Sequence, residues 1–196
     1  MTEFAIRPLS METWPAFEDL GNRHNGVWGG CWDTWFHVAK HGTPGPDASA
    51  ARTRDFKKQL VEAGHAHSAL VFDGETAIGW ASFGSPEELP GIHHSKQYLA
   101  ETERLPDYRV TCFFTDKNYR RQGVAKTALR GALELIAQDG GGVVEGYPFD
   151  IEAGKKMTSS FLYSATRKMF EEAGFSYVRP KGLKNCVMTI TVPPPA

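Results

Sequence analysis

The sequence predicts an α/β protein centred on a mixed, mostly antiparallel sheet with helices on both faces. Three stretches carry that prediction. The apolar run Val110 to Phe114 leads through a glycine turn into a long helical pattern, and a second apolar run, Val143 to Tyr147, follows. Strand, helix and strand in that order imply a crossover and parallel pairing of the two strands. Ala69 to Phe72 and Thr76 to Ala81 flank the turn pair Asp73-Gly74, which reads as an antiparallel hairpin. Val187 to Val192 alternates strictly and makes a last strand, which Pro193 to Pro195 cannot extend.

The remaining elements follow in chain order. Phe4 to Arg7 forms a short first strand, ended by Pro8. Met11, Trp14, Phe17 and Leu20 lie at helical spacing, with Ser10 as cap. Gly21 to Gly30 breaks regular structure; Trp28, Trp32 and Trp35 recur at helical offsets across its end. His41 to Pro46 is a loop, and a helix runs from Asp47 or Ser49 to Ala63, stopped by Gly64. Ser85 to Asp107, with Pro86, Pro90 and Pro106, has the length of a lid or binding loop and holds one short helix near Ser95 to Glu103. The helix after the glycine turn sets positions 125, 128, 129, 132, 133 and 136 on one face and ends at Asp139 to Gly142. A final helix starts at Ser159 or Ser160 and ends at Gly174. No repeat or linker divides the 196 residues, so a single domain over 1–196 is expected.

Charge and composition narrow the function classes. The 22 Lys and Arg against 23 Asp and Glu leave a net charge of −1, without the basic footprint of a nucleic-acid binder. The three cysteines, Cys31, Cys112 and Cys186, are odd in number and irregularly spaced, which argues against a disulfide framework. No run approaches the ~18 apolar residues of a membrane span, and Met1 to Arg7 carries Glu3 and no apolar leader, so a cytoplasmic protein is expected. His65-Ala66-His67 and His93-His94 lack a Cys or carboxylate at ligand spacing, so no metal is expected.

The most informative motif is Arg120-Arg121-Gln122-Gly123-Val124-Ala125. A tight glycine turn between strand and helix aims several unpaired amides at one point, where the helix dipole adds positive potential. Such a turn holds a phosphate or diphosphate. It lacks the Gly-Lys-Ser/Thr ending of a Walker loop and the three glycines of the dinucleotide fingerprint. Arg-x-x-Gly-x-Ala, the flanking strand and helix, and the later Glu172-Ala173-Gly174-Phe175 ending together resemble the GCN5-related N-acetyltransferase (GNAT) superfamily. Val110-Thr111-Cys112-Phe113-Phe114 and Glu145-Gly146-Tyr147-Pro148 are similar to one bacterial branch of it.

That resemblance implies direct acetyl transfer from acetyl-CoA to an amine of a small molecule or peptide, in a fold whose central parallel strands splay apart. It assigns the diphosphate to the amides of Arg121, Gln122, Gly123, Val124, Ala125 and Lys126, with Arg120 or Arg121 adding charge. It assigns the pantetheine arm to the backbone of Phe113 and Thr115, and the oxyanion to an N–H near Phe114. Homodimers are frequent in the superfamily. Many members protonate the leaving thiolate with a tyrosine four residues before the Gly of Gly-Phe, but here that position is Phe170. Tyr163, two turns earlier on the expected helix, is the first candidate acid and Ser164 the second; solvent is a third option, and Tyr163 as a core aromatic is the plain alternative. Glu145, in an otherwise apolar strand, is the candidate base, its alternative being a salt-bridged strand residue; Asp33, His37 and Asp107 are further candidates. Trp28, Trp32 and Trp35 read as packing or as an aromatic acceptor pocket. The Phe170 departure also motivates a second function class, a CoA-binding module with a regulatory or interaction role and little catalysis; transfer of a larger acyl group, or to a hydroxyl, is a lesser variant.

Overall fold

The computed structural model describes residues 4–38, 50–150 and 163–195. One seven-stranded sheet has the order β1-β2-β3-β4-β5-β7-β6. Its strands are β1 (Ala5–Pro8), β2 (His67–Asp73), β3 (Thr76–Gly84), β4 (Tyr108–Thr115), β5 (Gly142–Gly146), β6 (Ser176–Lys181) and β7 (Asn185–Val192). Every neighbouring pair is antiparallel except β4 and β5, which run parallel. The helices are α1 (Trp14–Arg23), α2 (Ala50–Glu62), α3 (Ser95–Ala100), α4 (Val124–Gln138) and α5 (Arg167–Glu172).

Strand alternation divides the two layers. Ala69 and Val71 of β2 face α4, while Leu70 and Phe72 face α1 and α2. On the first face, Ala128, Leu129, Ala132 and Ile136 of α4 join Met169 and Phe170 of α5 over one continuous core. The second face carries two clusters. Trp14, Phe17 and Leu20 of α1 pack on Trp80, and further along the sheet Tyr98 of α3 packs with Phe36, Cys112, Tyr147 and Val187.

Several elements differ from the sequence-based expectation. The β2–β3 turn is Gly74-Glu75, because Asp73 pairs with Thr76. Helix α1 starts after Thr13, whose Oγ1 accepts the Ser10 amide at 2.9 Å, and it runs through Gly21. The tryptophan region makes no α-helix: Asn25, Val27, Trp28, Trp32 and Asp33 all take left-handed backbone angles. The His41–Pro46 loop and the expected helix starts at Asp47 and Ser49 lie outside the described residues.

The final helix is shorter than expected. Its expected start lies outside the described residues; Tyr163 and Ser164 are in 3₁₀ conformation, Ala165 is left-handed at φ 57°, and Thr166 then caps α5 by accepting the Met169 amide. Tyr163 therefore does not share a helical face with Phe170. Strand β6 has no counterpart in the sequence reading. It is a largely exposed edge strand with a register shift between Tyr177 and Arg179 and with Pro180 inside it, so it shows no alternation to read.

The parallel pair is short. Tyr108, Arg109 and Val110 pair with Val144, Glu145 and Gly146, after which Thr111 to Thr115 continue with no β5 partner. Phe170 sits where the strands part. It is fully buried, edge-on to Phe113 and Phe175, and a Cβ on Gly146 would stand 2.0 Å from its ring. On its other side, β4 carries a bulge: Ala81 opposes Phe113 and Phe83 opposes Val110, so Thr111 and Cys112 together face Ser82.

Candidate cofactor cleft

The unpaired half of β4 opens onto a cleft of about 1010 Å³. Phe113, Phe114 and Thr115 line it from β4, Arg120, Arg121 and Gly123 to Lys126 from the turn and first residues of α4, and Ala165, Thr166 and Met169 from α5 and the chain leading into it. Of the expected cofactor residues only Gln122 is off that wall; its Nε2 donates to Asn118 O at 3.1 Å and closes the turn. The structure thus brings the expected loop and the expected strand to one cavity.

The turn has the chemistry of an anion site. Thr127 is the first α4 amide with a backbone acceptor, Gly123 O at 3.0 Å. Among the described residues no backbone carbonyl takes the amides of Gly123, Val124, Ala125 or Lys126. Arg121 and Gly123 are left-handed, at φ 61° and 86°, which tightens the chain around those donors. A Cβ on Gly123 would meet nothing within 4 Å, so the open space there belongs to the cleft and not to protein packing. Arg120 and Arg121 are exposed and make no ion pair among the described residues.

Asp116, unmarked in the sequence reading, fixes the entry to this turn. It is buried, and its Oδ1 accepts the Asn118 amide at 3.0 Å. Arg23 of α1 pairs with its other oxygen and also donates to Ala77 O at 2.7 Å. Burial pushes the Asp116 carboxyl up, but the Asn118 amide, His24 and Arg23 outweigh it and hold the group below its ordinary value. The Asx-turn spacing Asp116-x-Asn118 was the available signal.

The candidate catalytic residues occupy two places. Tyr163 is not among the described residues that line the cleft, but its ring is edge-on to Trp28, which is 39% exposed and lines the cavity with Phe114. Its hydroxyl is 2.8 Å from His93 Nε2. Burial raises the Tyr163 pKa, with Cys112 adding to the effect, so the phenol keeps its proton at neutral pH. Ser164 is itself buried. Glu145 is elsewhere, in the paired part of β5, where its Oε2 accepts from Tyr98 at 2.7 Å and Tyr147 at 3.0 Å. It is not among the described residues that line the cleft.

Two further candidates form a buried polar network behind the β4 bulge. The Lys57 ammonium, fully buried, donates to Asp33 Oδ2 at 2.7 Å and lies 3.1 Å from His37 Nε2. Ser82, opposite the bulge, donates to the same Asp33 oxygen. His37 Nδ1 faces Glu88 O at 3.0 Å, and burial followed by the Lys57 charge lowers the His37 pKa to about 2, so the ring is neutral. Asp107 accepts the Val143 amide at 2.8 Å and ties β4 to β5.

The sheet is thus split beside a turn whose amides stand open toward the cleft. The chain belongs to the acetyltransferase (GNAT) family, whose model matches residues 32–146. The fold is shared with solved acetyltransferases at low sequence identity. A GNAT-family protein from Desulfovibrio desulfuricans is 15% identical with a TM-score of 0.53, over 97% of this chain and 99% of that one. The protein yncA from Salmonella typhimurium, solved with its cofactor acetyl-CoA, is 12% identical with a TM-score of 0.53, over 96% and 94% of the two chains. A ribosomal-protein-alanine N-acetyltransferase from Brucella melitensis is 16% identical with a TM-score of 0.52, over 95% and 99%. No curated protein matches the sequence.

Proposed function

We propose that the protein is an acetyl-CoA-dependent N-acetyltransferase that moves the acetyl group directly to an amine of a small molecule or peptide. The observation that carries this reading is the cleft in which open α4 amides and the unpaired edge of β4 meet. The diphosphate of acetyl-CoA fits the amides of Arg121 to Lys126, with Gly123 giving close approach and Arg120 or Arg121 a charged contact. The pantetheine arm extends along Phe113 to Thr115 as an added strand, and an N–H near Phe114 meets the oxyanion.

The reaction needs a proton removed and a proton supplied. A lysine-like amine, with a pKa of about 10.4, is mostly protonated at neutral pH and requires a base. Glu145 is the base in this reading; it holds the hydroxyls of Tyr98 and Tyr147 on Oε2 and stands off the cleft wall, so a water chain has to link it to the acceptor. The leaving thiolate, conjugate to a thiol of pKa about 8.5, needs only modest help. Tyr163 supplies it, with Ser164 as the fallback donor. Phe170 favours a second reading, a CoA-binding module with little turnover, because its buried ring fills the place where an acid would stand.

Calorimetry with CoA and thiol release from acetyl-CoA over an amine panel separate the two readings. Arg120→Ala and Gly123→Asp should each weaken CoA binding, the second by about a hundredfold or more, since it adds a like charge and a side chain where the diphosphate lies. Unchanged affinity in both removes the cleft assignment, while tight binding with no turnover on any amine selects the module.

A further inference from the structure

The contact between Tyr163 Oη and His93 Nε2, 2.8 Å long, can run in either direction. We propose that His93 is a positioning residue for acyl transfer: its Nε2–H donates to Tyr163 Oη and turns the phenol's own proton toward the cleft. The inference rests on the reading of Tyr163 as the acid.

A phenol has one proton. Donated to His93, that proton faces away from any thiolate; with His93 as donor, it is free for the cleft. The ring of His93 is well fixed for the purpose. It stacks on Trp35 at 4.2 Å and 25°, stands edge-on to Phe36, and its backbone carbonyl takes the buried Lys181 ammonium. Tyr163 in turn touches Trp28, and the residues that follow it, Ala165 and Thr166, are part of the cleft wall. As the carbon–sulfur bond breaks, its electron pair stays on sulfur. The Tyr163 O–H bond breaks and an S–H bond forms. The phenolate is held by His93 Nε2–H until solvent returns a proton. Among the described residues, the polar groups near Tyr163 are His93, Ser164 and Cys112, and the rings of Trp28, Phe36 and Phe149 pack on it.

Two substitutions divide hydrogen bonding from packing. His93→Gln keeps an N–H donor and gives up the stacked ring; His93→Phe keeps a ring on Trp35 and gives up the donor. With acetyl-CoA and a panel of primary amines, CoA release should fall about tenfold or more in His93→Phe, as in Tyr163→Phe, and stay within about threefold in His93→Gln. The opposite order makes the contact one of packing and overturns the proposal. A measurement without turnover gives the direction of the bond. With ring-¹³C tyrosine, the Tyr163 signal identified by its loss in Tyr163→Phe, His93→Phe should raise the Tyr163 pKa by about one, because a donor to the phenolate is lost. A lowered value means Tyr163 was the donor, which sinks the proposal. A raised value with full CoA release in Tyr163→Phe retains the bond and refutes the acid reading instead.

Discussion

At the scale of single residues, the most demanding placement is Lys57. Its ammonium has no exposure and rests on Asp33, a residue in the left-handed region at the end of a strained loop. Each non-glycine residue held there costs on the order of 1 kcal/mol, so Asn25 to Asp33 needs a firm anchor. Lys57→Met should destabilise the protein by about 3–5 kcal/mol in urea unfolding, because it leaves the Asp33 carboxylate buried and unpaired. Replacing both, as Asp33→Leu with Lys57→Met, should recover much of that loss. A single substitution costing under about 1 kcal/mol would show that the pair is not what holds the loop. The pair was invisible in the sequence, since its partners lie 24 positions apart with no periodic relation.

At the scale of elements, the seam between β4, β5 and α5 combines close packing with an opening. Gly146→Ala should cost about 1–3 kcal/mol, because its Cβ would press into the Phe170 ring, and Phe170→Leu should relieve part of that cost. Denaturant midpoints of the three variants test this; additive losses would show that the two residues do not share the space. The strand–turn–helix that builds the cleft was legible, because apolar runs, Gly123 and the one-sided face of α4 are local signals. What could not be read was set by tertiary context. The left-handed residues between Asn25 and Asp33 turned a helical spacing of tryptophans into three separate roles: Trp32 in the core, Trp28 on the cleft, Trp35 under His93. Tyr163 touches the cleft wall through Trp28, and the helix expected to carry it is replaced, in the described residues, by a 3₁₀ turn and a left-handed Ala165.

At the scale of the whole molecule, the neutral His37 links stability to acidity. Its folded pKa, about 2, is depressed from an unfolded value of 6.5, so between those values the unfolded chain binds the extra proton. The His37 contribution is complete above pH 6.5 and is lost progressively as the pH falls below it, at up to about 1.4 kcal/mol per pH unit. His37→Gln should therefore flatten unfolding free energy against pH between about 4 and 6 relative to the parent; parallel curves would mean that the ring is already charged in the fold. The three residue pairs joining β4 to β5 have a consequence of another kind. They are a narrow weld between a four-stranded plate, β1 to β4, and a three-stranded plate, β5 to β7. A ligand lying along the open edge would splint the two plates, so amide exchange on both sides should slow together on its arrival.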